Sequence, residues 1–363
     1  MQRVGQLFKT IDWVLILATI LLVVGGITIV FSLTHGTDSH IYTNQIIYAI
    51  IGSIGALFMT FIDYRTWRSI SWWLYGLTII ALGAVSVIGS KVFGATRWID
   101  FGVFQFQPSE LAKLVLIIAL ARYLVDQRSI GIRQIIVTTV LTALPVGLIL
   151  IQPDLGSASV LVVIAIVLLL AARIPKIAIG VTAVALLLTM GIGFTQLAPY
   201  QRQRIEVFFN QSIDPAGIGY NITQSKIAIG SGGVFGRGLG QGSQSQLQFL
   251  PVAHTDFIFA VTAEATGFVG SIVLLLLMAT VIVRAYSIAR VSQDSFGLYC
   301  ALGVATLFVY QTLVNVGGNL GLVPVTGIPL PLVSSGGTTT IVMLACIGLL
   351  QSIYLRHKKI RFT

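Results

Sequence analysis

The sequence predicts an all-α fold, that of a polytopic integral membrane protein with about ten transmembrane helices. Of its 363 residues, 56% are hydrophobic and only 9% are charged, and the mean hydropathy is +0.93. A soluble domain usually carries about 25% charged residues, so these few charges cannot cover the surface of a water-soluble protein of this size. The apolar residues also fall into runs of the length that a bilayer requires, about 20 residues.

Ten such runs follow one another, and we interpret 1–363 as a single transmembrane domain. The first run is too long for the apolar part of a signal peptide, and no small-residue cleavage site follows it, so we predict that it is retained. The predicted spans are 13–33, 45–62, 70–88, 109–125, 134–151, 157–172, 177–197, 256–285, 296–316 and 336–355.

The placement of lysine and arginine predicts the orientation, because cytoplasmic loops are rich in these residues. With the N-terminus inside, 15 of the 22 basic residues fall on inner segments, whereas 8 of the 12 acidic residues fall on outer segments or outer helix ends. This pattern predicts a protein of the cytoplasmic membrane with both termini in the cytoplasm. The net charge of +10 is therefore explained by membrane orientation, which also suits an anionic inner leaflet, and does not indicate nucleic-acid binding.

The longest connection, 198–255, joins the seventh and eighth spans on the predicted outer face. A loop of this length is usually functional or disordered, and its sequence favours a folded cap. Residues 224–230 have helical or strand spacing, residues 231–240 are dense in glycine, and residues 247–251 are again apolar. We expect short helices here that lie on the outer leaflet.

Four polar segments on the outer side each precede an even-numbered span. These segments are 107–113, 152–156, 254–257 and 331–337. Pro108 suits a first helical turn, and Ser109, Thr255 and Ser334 or Ser335 suit N-caps. Helix N-termini carry partial positive charge and free N–H groups, so four of them in one region would attract an anion, phosphate above all. The alternative is four ordinary capped helix ends.

Ionisable residues inside membrane spans are costly unless they are paired or hydrated. Glu110 and Lys113 are three residues apart and share a helix face, either at a substrate site or as a packing pair. Asp154 stands at a break between two spans, either as a ligand or as an N-cap. Asp256 opens the eighth span, with Glu264 two turns further on the same face. A partly buried acid at 256 could act as a general base.

Six basic residues of the outer side could bind a pyrophosphate, although loop cations are often only solvated. They are Arg97, Lys113, Arg202, Arg204, Lys226 and Arg237. The sequence contains no zinc motif, P-loop, GxSxG turn or dinucleotide fingerprint, and its histidines are too scattered for a metal site. Cys300 and Cys346 lie in apolar stretches. We therefore predict no metal site and no resident cofactor, and leave open whether Mg²⁺ or Mn²⁺ joins the pyrophosphate.

Six motifs occur in order along the chain, among them Gly-Ala-Thr-Arg-Trp at 94–98, Gln-Pro-Asp-Leu-Gly at 152–156 and His-Thr-Asp-Phe-Ile-Phe at 254–259. The others stand at 106–113, 219–233 and 327–334. With the ten spans and the large loop, they make nearly the whole chain resemble the shape, elongation, division and sporulation (SEDS) family. Residues 200–205, Lys226, 245–251 and 327–331 resemble the elongation branch, RodA, more than the septal branch, FtsW.

The resemblance implies a peptidoglycan glycosyltransferase that polymerises lipid II on the outer face of the membrane during cell elongation. It implies a class B penicillin-binding protein, the transpeptidase of the elongation complex, as partner. Three positions depart from the family: Val252 and Ala265 stand where acids are usual, and Ser335 stands where a tyrosine is common. These departures leave the roles of the neighbouring acids open but keep Asp256 intact.

The predicted reaction begins when Asp256 deprotonates the acceptor 4-hydroxyl, which then attacks the anomeric carbon of the lipid-linked chain end with inversion. Candidates for stabilising the pyrophosphate are Arg97, Lys113, Arg204 and Lys226. Further candidate substrate-binding residues are Glu110, Asp154 and Ser334.

Two rival functions use the same residues differently. A lipid II flippase would need polar groups through the full depth of the bilayer, whereas the charged candidates lie toward the outer side. Gln311 and Asn315 could extend a polar path, but such residues also join helices to each other. A scaffold that only recruits the transpeptidase would not need an acid at Asp256.

Overall fold

A computed structural model describes residues 11–35, 39–92, 95–100, 105–127, 131–172, 199–210, 214, 217–247 and 249–357. Within these ranges the chain forms twelve α-helices and three short β-strands. The helices are α1 (Trp13–Thr34), α2 (Ser39–Phe61), α3 (Tyr64–Ile88), α4 (Pro108–Val125), α5 (Ile132–Ile151), α6 (Leu155–Ala171), α7 (Pro199–Phe209), α8 (Ile218–Ser231), α9 (Ser243–Gln246), α10 (Ile258–Val291), α11 (Ser295–Leu320) and α12 (Gly337–Leu355). The strands are β1 (Ser90–Val92), β2 (Ala95–Asp100) and β3 (Gln105–Phe106).

Seven of the described helices are long and apolar enough to cross a membrane: α1, α2, α3, α5, α10, α11 and α12. Helix α6 is apolar but has only 17 residues, and the 18-residue α4 carries Glu110, Lys113 and Arg122. Large apolar side chains such as Trp73 and Ile80 are exposed along α3, as on a surface that faces lipid. The prediction of an α-helical, polytopic membrane protein is confirmed.

Nine of the ten predicted spans coincide with described helices, α1 to α6 and α10 to α12. The seventh predicted span, 177–197, lies outside the described residues. The segment 198–255 contains α7, α8 and α9, as expected for a cap of short helices.

The all-α prediction omits a small antiparallel sheet between α3 and α4. Its strand order is β1-β2-β3, with Ile99 opposite Phe106 and Asp100 opposite Gln105. The longest strand has only six residues. A search for apolar runs of about 20 residues, the length of a membrane span, does not detect such short elements. The sheet places Arg97 of β2 next to the start of α6, as described below.

The core lies around α4, α11 and α12. Fourteen of the 18 residues of α4 are buried, including Glu110 and Lys113, which pair with each other. Small residues allow close approach between neighbours: a Cβ at Gly303 of α11 would lie 2.6 Å from Ile117 Cγ2 of α4, and one at Gly52 of α2 would lie 2.7 Å from Leu344 Cδ1 of α12.

The glycine-dense turn of the cap docks into a kink of α10. Gly267 has φ 70° and ψ −163°, which breaks the helix and frees backbone groups. Four backbone hydrogen bonds satisfy them: Arg237 N–H donates to Glu264 O (3.0 Å), Gly238 N–H to Ala265 O (3.0 Å), Phe268 N–H to Gly233 O (2.9 Å) and Val269 N–H to Val234 O (3.1 Å). In an apolar environment such groups cannot be left unpaired, so the turn and the kink stabilise each other.

Aspartates cap three helices at one end of the bundle. Asp12, Asp63 and Asp294 accept from backbone N–H groups in the first turns of α1, α3 and α11. Each also pairs with an arginine: Arg284 with Asp12 at 2.7 Å, Arg356 with Asp63 at 3.3 Å and Arg65 with Asp294 at 3.2 Å. Helix N-termini favour an anion, and the arginines then join helices that are distant in sequence.

Candidate active site

Four helix N-termini meet at the other end of the bundle. Gln107, the N-cap of α4, donates through its backbone N–H to Thr338 Oγ1 of α12 (3.0 Å), and Thr338 Oγ1 donates to Gln105 O (3.0 Å). The Gln107 side chain donates to Asp154 Oδ2 at the start of α6 (3.3 Å). These bonds bring together the starts of α4, α6 and α12.

The start of α10 joins this group through the segment before α12. Ser334 Oγ donates to Thr255 O (2.7 Å), and both the backbone N–H and Oγ of Ser335 donate to His254 O (3.0 Å each). The four polar segments found in the sequence therefore form one region of the molecule.

Asp256 lies in a turn before α10. The helix begins at Ile258, so the expectation that Asp256 opens the helix is wrong. The backbone N–H groups of Thr255 and Asp256 both donate to Val252 O (3.2 and 3.3 Å), and Val252 has φ 54°. A tight turn, not a helical turn, therefore presents this carboxylate.

Two asparagines of α11 hold the Asp256 turn through hydrogen bonds to its backbone. Asn315 Nδ2 and Asn319 Nδ2 both donate to the Asp256 carbonyl, at 3.0 and 2.9 Å. Asn319 Oδ1 accepts from Ala260 N–H in the first turn of α10 (3.0 Å), and Asn315 Nδ2 also donates to Ile328 O (2.9 Å). The sequence signal was an asparagine within an apolar helix. Of the two interpretations of Asn315, the one in which it joins helices to neighbouring segments agrees with these contacts.

The surroundings of Asp256 have opposing effects on the pKa of its carboxyl group. Burial raises the pKa of the Asp256 carboxyl above its ordinary value, and the Asp154 carboxylate adds to this rise. The positive charge of Arg204, a hydrogen bond from Thr255 and the charge of Arg97 lower the same pKa. Burial is the largest of these effects, so the carboxylate is more basic than an ordinary aspartate.

The side chains of Arg204 and Asp256 both approach Gly327. A Cβ on Gly327 would lie 3.4 Å from both Arg204 NH1 and Asp256 Oδ2, and the φ of this glycine is 77°. Few other residues adopt this conformation, and any side chain here would contact both the cation and the carboxylate, so the site favours glycine at this position.

Backbone carbonyls fix both arginines of the site. Arg204 NH1 of α7 donates to Val325 O (3.1 Å), and Arg97 Nε of β2 donates to Gln152 O (3.1 Å). A second Arg97 nitrogen donates to Pro153 O. These bonds fix two positively charged side chains whose charges act on Asp256.

Asp154 and the Glu110–Lys113 pair form mainly internal contacts. Asp154 Oδ1 accepts from Ser157 N–H (3.0 Å), so Asp154 is the N-cap of α6. Lys113 Nζ lies 2.5 Å from Glu110 Oε1, and both side chains are almost fully buried within α4. Lys113 is thus enclosed with its own counter-ion, whereas the sequence predicts it as a candidate for stabilising the pyrophosphate charge.

Lys226 and Ser334 occupy different surroundings. Lys226 is exposed on α8, and its Nζ lies 2.7 Å from the position that a Cβ on Gly321 would take. Ser334 is buried, and its hydroxyl donates to Thr255 O and accepts from Leu330 N–H (2.9 Å). Ser334 therefore positions the Asp256 turn, whereas Lys226 presents its charge to solvent.

Glu264 contacts the cap, whereas its helical spacing from Asp256 predicts a shared helix face. Its carboxylate is buried and accepts from the backbone N–H groups of Gln244 (2.8 Å) and Ser245 (3.0 Å). It therefore stabilises the first turn of α9 and joins the cap to α10.

The predicted N-caps divide into those that form and those that do not. Pro108 occupies the first turn of α4 as expected, but the N-cap positions of α4, α10 and α12 are Gln107, Phe257 and Gly336, without side-chain cap bonds. The capping roles predicted for Ser109, Thr255, Ser334 and Ser335 are therefore wrong. At α10 another helix takes the place of a cap, because Asn319 Oδ1 of α11 accepts from Ala260 N–H in the first turn (3.0 Å).

Among the described residues, no group of three or more histidine, cysteine, aspartate and glutamate side chains could hold a metal ion. The described site thus offers one basic carboxylate, two fixed arginines and four helix N-termini. This arrangement can accept a proton next to a place where negative charge develops.

Comparison with known proteins agrees with this chemistry. The sequence profile of the cell cycle protein family of FtsW, RodA and SpoVE matches residues 6–359. The chain is 37% identical to the probable peptidoglycan glycosyltransferase FtsW of Trichlorobacter lovleyi, covering 94% of this chain and 92% of the relative. It is also 37% identical to the peptidoglycan glycosyltransferase MrdB of Escherichia coli K12, covering 96% and 94%.

Two solved structures are similar throughout. One is a chain from a peptidoglycan synthase complex that coordinates polymerization and crosslinking, with a TM-score of 0.80, 30% identity and coverage of 96% and 98%. The other is the rod shape determining protein RodA of Thermus thermophilus, with a TM-score of 0.71, 30% identity and coverage of 95% and 96%.

Proposed function

The chain belongs to the FtsW, RodA and SpoVE family, the SEDS proteins, and is a peptidoglycan glycosyltransferase; from this premise we propose that it polymerises lipid II during cell elongation. The single observation that carries the polymerase activity is the placement of Asp256, in a turn where four helix N-termini meet and where the charges of Arg204 and Arg97 act on its carboxyl group. We place this site on the outer face of the cytoplasmic membrane, with both termini inside.

In the proposed reaction, the Asp256 carboxylate takes the proton of the acceptor sugar 4-hydroxyl. The hydroxyl oxygen forms a bond to the anomeric carbon of the lipid-linked chain end, and the bond from that carbon to the pyrophosphate breaks with inversion. Because burial raises the pKa of Asp256, its carboxylate accepts the proton more readily than an ordinary aspartate. A general base of this kind contributes about 10²–10⁴-fold to the rate.

The leaving polyprenyl pyrophosphate needs positive charge as its bond breaks. Arg204 and Arg97 are the best supported candidates, since both act electrostatically on Asp256 and are fixed by carbonyls. Lys226 could add a contact from the cap, while Lys113, enclosed with Glu110, acts through the packing of α4. A Mg²⁺ or Mn²⁺ ion that joins the reaction would arrive on the pyrophosphate.

We also propose a class B penicillin-binding protein as partner, in the elongation complex. Similarity to a chain of a peptidoglycan synthase complex supports this. The elongation role rests on sequence features such as Lys226 and the 327–331 run, since relatives named FtsW and MrdB are equally similar at 37% identity.

The test of activity uses the full chain with its partner in proteoliposomes and labelled lipid II. We expect glycan strands, seen as a ladder on a gel, from lipid II already present in the accessible leaflet. Transfer of lipid II between leaflets without any strand product would contradict the polymerase and favour the flippase.

The test of the elongation role is complementation. Expression in cells depleted of their own elongation glycosyltransferase should restore rod shape, while cells depleted of the septal enzyme should remain filaments. The reverse pattern would assign the protein to the septum.

A further inference from the structure

A small cavity lies behind the Asp256 turn. Its volume is about 10 Å³, and its walls include Asp256, Asn315 and Gly318 of α11, and Thr326 and Gly327 of the segment before α12. A space of this size accommodates about one water molecule.

Two residues that line the cavity, Asn315 and Thr326, each have a buried polar atom without a hydrogen-bond partner within the described part of the chain: Asn315 Oδ1 and Thr326 Oγ1. Buried polar groups in proteins are almost always paired, with protein or with ordered water. Both residues therefore point to a polar ligand that the cavity can hold.

The orientation of the Asn315 amide is fixed by its other contacts. Its Nδ2 donates to two carbonyls, those of Asp256 (3.0 Å) and Ile328 (2.9 Å). Exchanging the amide nitrogen and oxygen would place Oδ1 against two acceptors, so Oδ1 must be the remaining atom. It is an acceptor and requires a donor, whereas the Thr326 hydroxyl can donate or accept.

We propose that this cavity binds one water molecule, which donates to Asn315 Oδ1, contacts Thr326 Oγ1 and hydrogen-bonds the Asp256 carboxylate. Buried waters typically make two to four such bonds, and these three partners fall in that range. The role of the water in catalysis rests on the proposed function of Asp256; its presence does not.

The charges around the site favour water over a cation. Oxygen atoms alone would suit a hard cation such as Mg²⁺, but that ion demands about six oxygen ligands. The positive charges of Arg204 and Arg97 also act on Asp256, and they would repel a metal ion in the cavity. A neutral water molecule bears neither cost.

The water would help keep Asp256 ionised. The groups that face this carboxylate are Arg204 of α7, Arg97 of β2, Thr255 beside it and Asp154 at the start of α6. A hydrogen bond donated to a carboxylate favours its charged form, so the water would act with Arg204 against the effect of burial.

The experiment compares Thr326→Val, which removes the hydroxyl at similar shape, with Thr326→Ser, which retains it. Thr312→Val is the matched control, because Thr312 is another buried threonine without a partner among the described residues but lies outside the cavity. For each, the polymerisation rate with the partner transpeptidase is measured from acid to neutral pH. We expect the acid limb to move to higher pH in Thr326→Val alone, and an unmoved limb would overturn the role in catalysis.

A high-resolution map of the full complex tests the water without using activity. We expect density within about 3.2 Å of both Asn315 Oδ1 and Thr326 Oγ1, lost in Thr326→Val and retained in Thr326→Ser. Density surrounded by about six oxygens at roughly 2.1 Å would indicate a divalent cation, and no density would mean an unfilled cavity; either overturns the proposal. If wild type forms no strands, the proposed function fails while the map still decides on the water.

Discussion

At the scale of single residues, the protein sets the basicity of one carboxylate by opposing effects. Burial raises the pKa of Asp256, and Arg204 is the strongest influence that lowers it. A base works only when ionised, so the rate should fall as pH drops through a pKa above the ordinary aspartate value of about 3.9.

Arg204→Gln tests this balance. Removing the positive charge disfavours the ionised carboxylate, so the pKa of Asp256 rises and the acid limb of kcat/KM moves to higher pH. Arg237→Gln, an exposed arginine of the cap, should leave the limb in place. An unmoved limb in Arg204→Gln would show that Arg204 does not act on the base.

Asn319→Ala tests the support of the Asp256 turn. The change removes one of two donors to the Asp256 carbonyl and leaves the Ala260 N–H without its acceptor. Because small displacements of a reacting group are costly, we expect kcat to fall about 10-fold or more with little change in KM. Asn210→Ala, at an exposed asparagine after α7, is the control; an equal fall there, or none in Asn319→Ala, would contradict the positioning role.

The sequence identified Asp256, Asn315 and Ser334, but not that the last two hold the turn that carries Asp256. An acid at a motif beside an apolar run can be recognised from local pattern, and so could the capping alternative for Asp154. The roles of Asn319 and Gly327 depend on residues about 60 to 70 positions away from the carboxylate, and no local pattern contains that information.

At the scale of elements, the hydrogen bonds between the glycine-dense turn of the cap and the kink of α10 organise the end of the bundle that contains Asp256. Gly236 has φ 83°, and a Cβ there would collide with the carbonyl of Ala265. Gly236→Ala should therefore lower stability by roughly 2 kcal/mol or more, measured as thermal unfolding in detergent.

Gly230→Ala is the matched control for that change. Gly230 lies within α8 with nothing near the position of its Cβ, so alanine should be neutral or stabilise by up to about 1 kcal/mol. Equal stabilities of the two variants would contradict the docking of the turn on α10.

Most elements could be predicted because membrane spans follow from apolar length alone. The start of α10 could not, since Phe257 already belongs to the apolar run while its backbone still forms a turn. The kink at Gly267 likewise arises from contact with a glycine turn some 30 residues earlier, which composition does not reveal.

At the scale of the whole molecule, the two ends of the bundle have different tasks. The site end joins four helix N-termini, while at the opposite end Asp12 joins α1 to α10 through Arg284 (2.7 Å) and to α12 through Gln351 (3.1 and 2.9 Å). Convergence of the site segments was predictable, because alternate spans of a polytopic chain start on the same side.

Arg284→Ala tests this separation. It leaves the buried Asp12 carboxylate without its cation, and we expect a loss of roughly 2 kcal/mol in stability with kcat unchanged below the new melting temperature. Arg290→Ala, at an exposed arginine six residues further on, should change neither. A fall in kcat for Arg284→Ala would instead couple the two ends.

The most direct test of the account is polymerisation of labelled lipid II by the full chain with its transpeptidase partner, comparing wild type, Asp256→Asn and Glu206→Gln. Glu206 is an exposed acid of α7 paired with Arg202, and it controls for loss of a negative charge near the site. We predict strands from wild type and Glu206→Gln, and a rate lower by about 10²–10⁴-fold for Asp256→Asn at unchanged thermal stability. Strand formation by Asp256→Asn at the wild-type rate would contradict the assignment of Asp256 as the base.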